Sequence, residues 1–164
     1  MTFASEEYDF TDKTAGYERL AGSLEALLSG ERDRIANAAN TSALLFTALP
    51  RVSWVGFYFA QGPELVLGPF QGKPACVRIA LGRGVCGTAA LRRATLVVAD
   101  VDRFPGHIAC DPASRSEVVV PLLAGQRLVG VLDLDSAEGG RFDDRDARGV
   151  ERLAAIYLAH SSGE

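Results

Sequence analysis

Three cysteines, Cys76, Cys86 and Cys110, are the clearest candidates for covalent chemistry in this 164-residue chain, each in a setting of its own: GKPACVRI, GRGVCGTAA and FPGHIACDPASRSE. A thiolate can attack an electrophilic sulfur or a peroxide, become a sulfenic acid, and be discharged by a second thiol as a disulfide. Thiols also bind metals, or simply pack as small hydrophobes. An odd number of cysteines in a chain read as cytoplasmic speaks against a structural disulfide framework and leaves packing, metal binding and redox chemistry open. Cys110, flanked by His107 and Asp111 in a polar loop, fits packing least. Cys76, followed by Val77 and Ile79, fits either a buried strand position or a reactive one. Cys86 sits near the start of a short helix, where the dipole lowers a thiol pKa, and is balanced between packing and a third exchangeable thiol.

A second set of chemically capable residues is acidic. Asp133 and Asp135, in LDLDS, are two positions apart on one strand, so their side chains share a face and each raises the pKa of the other. One of them can then carry a proton at neutral pH. Glu117 begins the neighbouring strand and joins them if the AGQ hairpin sets the register. The plain alternative is a solvated strand end, where acidic residues need no function. Trp54, the only tryptophan, shares a strand face with Tyr58 by the period of two; core packing explains both equally well from the residues alone.

These side chains need a scaffold, and the hydrophobic pattern outlines one. Tyr17, Leu20, Leu24, Leu27 and Leu28 recur at helical spacing up to Gly30, and a second helix runs from about Glu31 to Ala48, before Pro50. Short strands follow at Ser53–Phe59, Glu64–Pro69 and Cys76–Ala80, then a short helix at Gly84–Arg93 and a strand at Thr95–Ala99. The stretch from about Asp100 to Arg115 is irregular, and a loop of that length in a compact domain is a functional candidate. Strands at Glu117–Leu123 and Arg127–Asp135 form the AGQ hairpin, and a last helix from about Asp143 to His160 sets Val150, Leu153, Ala154 and Tyr157 on one face. Two helices, then strands with a helix inserted, then a hairpin and a final helix indicate an α+β protein: an antiparallel sheet with helices packed mainly on one face.

Length and composition set limits on function. The chain is long enough for one self-sufficient core, read as a single domain over 1–164 with 1–14 as an N-terminal extension. A net charge of -4 without a basic stripe argues against nucleic-acid binding. The opening MTFASEEYDFTDK is too acidic for a secretory signal, and no apolar run approaches membrane-spanning length. The expected setting is therefore cytoplasmic, with a small molecule or a protein as partner.

Taken together, WVGFY, LGPFQGKPACVRI, GVCGTAA, DVDRFPGHIACD, SEVVVPL and GVLDLDS resemble the free methionine-R-sulfoxide reductases, enzymes of the GAF fold, over about Tyr17 to Leu158. The family commonly has Asn before the tryptophan, where this chain has Ser53. The resemblance implies reduction of free methionine-R-sulfoxide without a bound cofactor, protecting against oxidative damage. Cys110 matches the nucleophile and Cys76 the thiol that resolves its sulfenic acid, with Cys86 as a third exchanging thiol and thioredoxin as external reductant. It further implies that Glu117 and Asp135 polarise and protonate the sulfoxide oxygen, that Asp133 holds the substrate ammonium, and that Trp54, with Tyr58, lies against the substrate methyl group. The loop backbone at Gly106 and Ile108 is a candidate for the substrate carboxylate. Dimerisation through the terminal helices is common among GAF domains.

Three other readings compete. A non-enzymatic GAF sensor of a small ligand or of redox state would use the same cysteines, usually joined to an output domain. A zinc site of three Cys with His107 lacks the close C-x2-C pairing of structural zinc. A thiol peroxidase shares the sulfenic acid logic but has no need for several carboxyls.

Overall fold

The computed structural model describes residues 7–108 and 110–161, so the first six residues of the expected N-terminal extension lie outside the described residues. Four helices, α1 (Lys13–Leu28), α2 (Arg34–Ala48), α3 (Gly84–Arg92) and α4 (Asp144–His160), accompany six strands: β1 (Trp54–Gln61), β2 (Glu64–Gln71), β3 (Arg78–Ala80), β4 (Leu96–Val98), β5 (Ser116–Ala124) and β6 (Arg127–Ser136). The strands form one sheet in the order β3-β2-β1-β6-β5-β4, and every pairing is antiparallel.

Strand alternation divides the side chains between two layers. On one face Val55, Phe57, Phe59, Val118, Val120, Leu122, Leu132 and Leu134 pack against α1, α2 and α4, whose buried stripes include Leu20, Leu24, Leu45, Val150 and Leu153. On the other face Trp54, Tyr58, Val119 and Val131 meet only α3 and the loops, through Val85, Cys86, Ala89 and Val101. The sheet is thus thickly covered on one side and thinly on the other. The thin side leaves room for a cleft.

The helix starts follow local capping chemistry. Asp12 and Asp33 cap α1 and α2 by accepting from backbone N–H groups two and three residues on, which places the α2 start at Arg34 rather than Glu31. α4 opens with a reciprocal capping box between Asp143 and Asp146. Asp146 is fully buried and also accepts from Lys13 Nζ, from Arg141 at 2.9 Å and from the Tyr17 hydroxyl at 2.9 Å, tying α1 to α4 and to the segment after β6.

Two strand expectations shift. β2 continues past Pro69 to Gln71, because its pairing with β1 slips between Gly56 and Tyr58 and the proline, which has no N–H to give, falls at the irregularity. β3 begins only at Arg78, so Cys76 lies in the loop before the strand and not on it. The irregular stretch after β4 contains a short 3-10 turn, Val101–Arg103, capped by Asp100. Among the described residues no helix is long and apolar enough to cross a membrane.

Removing the hub of the α1–α4 network leaves Lys13 and Arg141 without their buried partner, so Asp146→Ala is expected to cost about 3–5 kcal/mol. Urea unfolding followed by circular dichroism checks this; a change near zero would mean the ion pairs do not support the helix packing.

Candidate functional site

The antiparallel register assembles a polar row from three strands. Trp54 on β1 stands opposite Asp135 on β6, which stands opposite Glu117 on β5. The next row on the same face is Gly56, Asp133 and Val119, and the one after it opens with Tyr58 and Val131. Glu117, Asp133 and Asp135, expected from sequence to converge if the hairpin register allowed, are thereby adjacent on the thinly covered face of the sheet.

Gly56 leaves a gap in the sheet face that the Trp54 ring occupies. A Cβ there would run into the Trp54 ring and stand 2.5 Å from Phe70 Cβ. Trp54 lies over this gap, 5.4 Å from Phe70 and 6.0 Å from Tyr58 between ring centroids. Its indole N–H donates to the Lys73 carbonyl at 3.0 Å, and the Tyr58 hydroxyl donates to the Cys76 carbonyl at 2.9 Å. Both aromatic walls therefore pin the loop that carries Cys76.

The opposite side of the cleft is the start of α3 and the loop carrying Cys110. Gly84 adopts φ +60°, and Ile108 packs against it closely enough that a Cβ would lie 3.2 Å from the Ile108 side chain. Lys73 and Asp111 form an ion pair at 3.3 Å across the mouth. The resulting cleft is lined by Trp54, Tyr58, Ile108, Cys110 and the three carboxyls, with Cys86 and His107 also contributing. Cys76 and Cys110 are joined by a disulfide with their Cα atoms 5.5 Å apart, inside the usual range for such a bond. In this oxidised form the pairing takes two of the three thiols that a zinc site with His107 would need.

Burial governs the electrostatics. Glu117 and Asp133 are only 6% and 5% exposed. Desolvation, reinforced by the Asp133 and Asp135 charges, pushes Glu117 well above the ordinary carboxylate range; desolvation and then Asp133 do the same for Asp135. Asp133 is pushed up to about 6 by desolvation, against hydrogen bonds from Cys86 and Glu117 that favour its charged form. Asp133 Oδ1 is buried and has no hydrogen-bond partner. The cluster can therefore present both a protonated carboxylic acid and a carboxylate at neutral pH, the two forms needed to give a proton and to hold a cation.

Cys86 departs from its expectation. It sits in the first turn of α3, yet it is 4% exposed, and its Sγ donates to Glu117 Oε1 at 3.7 Å. Burial first, then the neighbouring Asp133 and Glu117 charges, raises its pKa, overriding the helix dipole that was expected to lower it. Among the described residues, ligand atoms of Cys86, Glu117 and Asp133 all lie within 4.8 Å of one another, a closeness to which the Cys86–Glu117 hydrogen bond contributes.

Sequence reasoning missed Gly56, Phe70, the Lys73–Asp111 pair and Ser114, which lines the cleft and hydrogen-bonds Asp135. A glycine within the aromatic strand WVGFY is itself a signal of close approach by another group. The partner of Lys73 lies 38 positions away, beyond any local pattern.

Two outcomes follow from this geometry. Filling the gap with Gly56→Ala should displace the Trp54 ring, weakening ligand binding by about tenfold, the equivalent of a modest overpacking cost of about 1.4 kcal/mol. The fluorescence of Trp54 reads the displacement directly, and unchanged emission and affinity would contradict it. Asp133 has a folded-state pKa above its unfolded one, so its contribution to stability is fully present below about pH 4 and is lost as pH rises through about 6. Asp133→Asn should then gain stability relative to the parent at neutral pH and lose that advantage towards pH 4, as measured by unfolding at a series of pH values.

The comparisons with known proteins agree with this architecture. The GAF domain family matches residues 31–157. The chain is 53% identical over 145 residues to protein YtsP of Bacillus subtilis, covering 87% of this chain and 89% of that protein. It is 51% identical over 144 residues to the free methionine-R-sulfoxide reductase of Escherichia coli, covering 88% and 87% respectively. The X-ray structure of the free methionine-R-sulfoxide reductase of Neisseria meningitidis in complex with its substrate superposes with a TM-score of 0.91 at 45% identity, covering 96% of this chain and 95% of that one. With a relative at half identity across nearly the whole length and the same GAF architecture, this chain belongs to the free methionine-R-sulfoxide reductase family.

Proposed function

We propose that this protein reduces free L-methionine-R-sulfoxide to methionine by thiol chemistry, protecting against oxidative damage. The observation that carries the proposal is the Cys76–Cys110 disulfide at the edge of a cleft lined by three carboxyls, of which Glu117 and Asp133 are buried. An oxidised thiol pair is the product state of such a reaction, and a carboxylic acid is the proton source it needs.

In the reduced enzyme, Cys110 attacks the sulfoxide sulfur as a thiolate. The oxygen, protonated by the Glu117–Asp135 pair, passes to Cys110 Sγ as its original S–O bond and the transient bond between the two sulfurs break, giving methionine and a Cys110 sulfenic acid. Asp133, whose Oδ1 has no protein partner, takes the substrate ammonium. Trp54 and Tyr58 form the wall against the S-methyl group, and the loop at Ile108 faces the carboxylate end. Cys76 then attacks the sulfenic sulfur, expelling water and forming the disulfide, so two thiols supply the two electrons that the sulfoxide accepts. Thioredoxin, a low-potential dithiol, returns the pair to thiols by exchange, and no bound cofactor takes part. Cys110 must face substrate before it faces Cys76, so its loop moves once per turnover. The reaction belongs in the reducing cytoplasm.

Single-turnover assays with the separated epimers test the reading. The parent should convert about one equivalent of the free R epimer without added reductant, and the S epimer and peptide-bound sulfoxide should be left intact. Cys110→Ser should give no methionine, whereas Cys76→Ser should retain the first turnover and lose thioredoxin-supported cycling. Full yield from Cys110→Ser would remove it as the nucleophile, and ligand binding without conversion by the parent would favour the sensor reading.

A further inference from the structure

The two-thiol cycle leaves Cys86 unused, although it is the most deeply placed sulfur of the site. It enters from α3, the layer opposite the sheet, and its Sγ meets Glu117 Oε1 at 3.7 Å within the cluster that also holds Asp133. The groups facing it are Glu117 from β5, Asp133 and Asp135 from β6, and the Tyr58 hydroxyl from β1, already committed to the Cys76 carbonyl. The cations nearest the cleft are Arg83 and Lys73, the latter paired with Asp111 in the loop that also carries His107. A thiol among carboxyls and out of water keeps its proton, which makes it a weak nucleophile and a standing hydrogen-bond donor.

Carboxyls sharing a buried space cannot all be charged, and the one that is charged needs a donor. Asp133 Oδ1 has no hydrogen-bond partner among the described residues, and while Asp135 has the Ser114 side chain as a donor, the side-chain donor that reaches Glu117 from the opposite layer is the Cys86 thiol. We propose that Cys86 is a positioning residue that takes no part in thiol exchange: its S–H donates to the Glu117–Asp133 pair and keeps one carboxylate charged for the substrate ammonium while another carboxyl retains its proton. This rests on the reductase reading for the identity of the ligand. The hydrogen bond itself does not depend on turnover.

Cys86→Ser preserves a donor, and Cys86→Ala removes it while keeping a small helix-compatible side chain. Binding of free methionine-R-sulfoxide to the oxidised proteins, read from Trp54 fluorescence at a series of pH values, separates positioning from turnover. Losing one hydrogen bond to a charged group should weaken binding to the Ala variant by about tenfold near neutral pH and move the acid limb of its binding curve to higher pH; the Ser variant should stay within about threefold of the parent. Thermal unfolding of each variant confirms that it is folded under the assay conditions. If the Ala variant follows the parent's pH curve, or if Ser shifts as far as Ala, the donor role is overturned. Loss of thioredoxin-supported cycling in both variants, with first-turnover yield intact, would also overturn it by making Cys86 an exchanging thiol. Binding without reduction by the parent would instead count against the reductase reading and leave the donor role standing or falling on the pH curves.

Discussion

The gathering of three carboxyls on one face of the sheet, Glu117 and Asp133 buried and Asp135 half-buried, is the constraint around which this molecule is organised. Two strands contribute the acids, and the pairing of Trp54 with Asp135 and of Asp135 with Glu117 forces them and the aromatic wall into one row. A slip of one residue in either pairing would send an acid into the apolar layer beneath α1, α2 and α4, at a desolvation cost no small domain sustains. The packed helical face thus fixes the register, and the register makes the site.

The same asymmetry explains why the cleft lies where it does. Three helices seal one face, while the other is roofed by a nine-residue helix and by loops that meet through Gly84 and Ile108. Trp54 and Tyr58 clamp the loop bearing Cys76, so the walls of the cleft hold that segment. The Cys110 loop is joined to the body at the mouth by the disulfide and the exposed Lys73–Asp111 pair. An ion pair whose lysine is this exposed holds weakly.

Much of this was legible in the sequence. The helical stripes of α1 and α4, the hairpin of β5 and β6 and the two-residue spacing of Asp133 and Asp135 are local patterns, and they survive intact in the fold. Glu117 joining the aspartates depended on hairpin register, which the short Gly125–Gln126 turn supplies. Non-local features were not readable from residues alone. The gap above Gly56 depends on how a ring two residues away folds back, and the carboxyls near Cys86 come from strands more than thirty positions later. The helix-terminus argument for Cys86 failed for that reason: local sequence shows the dipole but not the desolvation and negative charge that outweigh it. Val77 and Ile79 give the Cys76 segment the pattern of a strand, yet the ladder begins only at Arg78.

The central claim is that two of the three sulfurs carry the electrons. The most direct measurement is to mix fully reduced protein with one equivalent of free methionine-R-sulfoxide, quench, alkylate the remaining thiols and map the peptides by mass spectrometry. The account predicts one methionine formed per two thiols lost, a Cys76–Cys110 linked peptide, and Cys86 recovered alkylated. Methionine formation with Cys86 in the disulfide, or with Cys76 and Cys110 both recovered as free thiols, would contradict it.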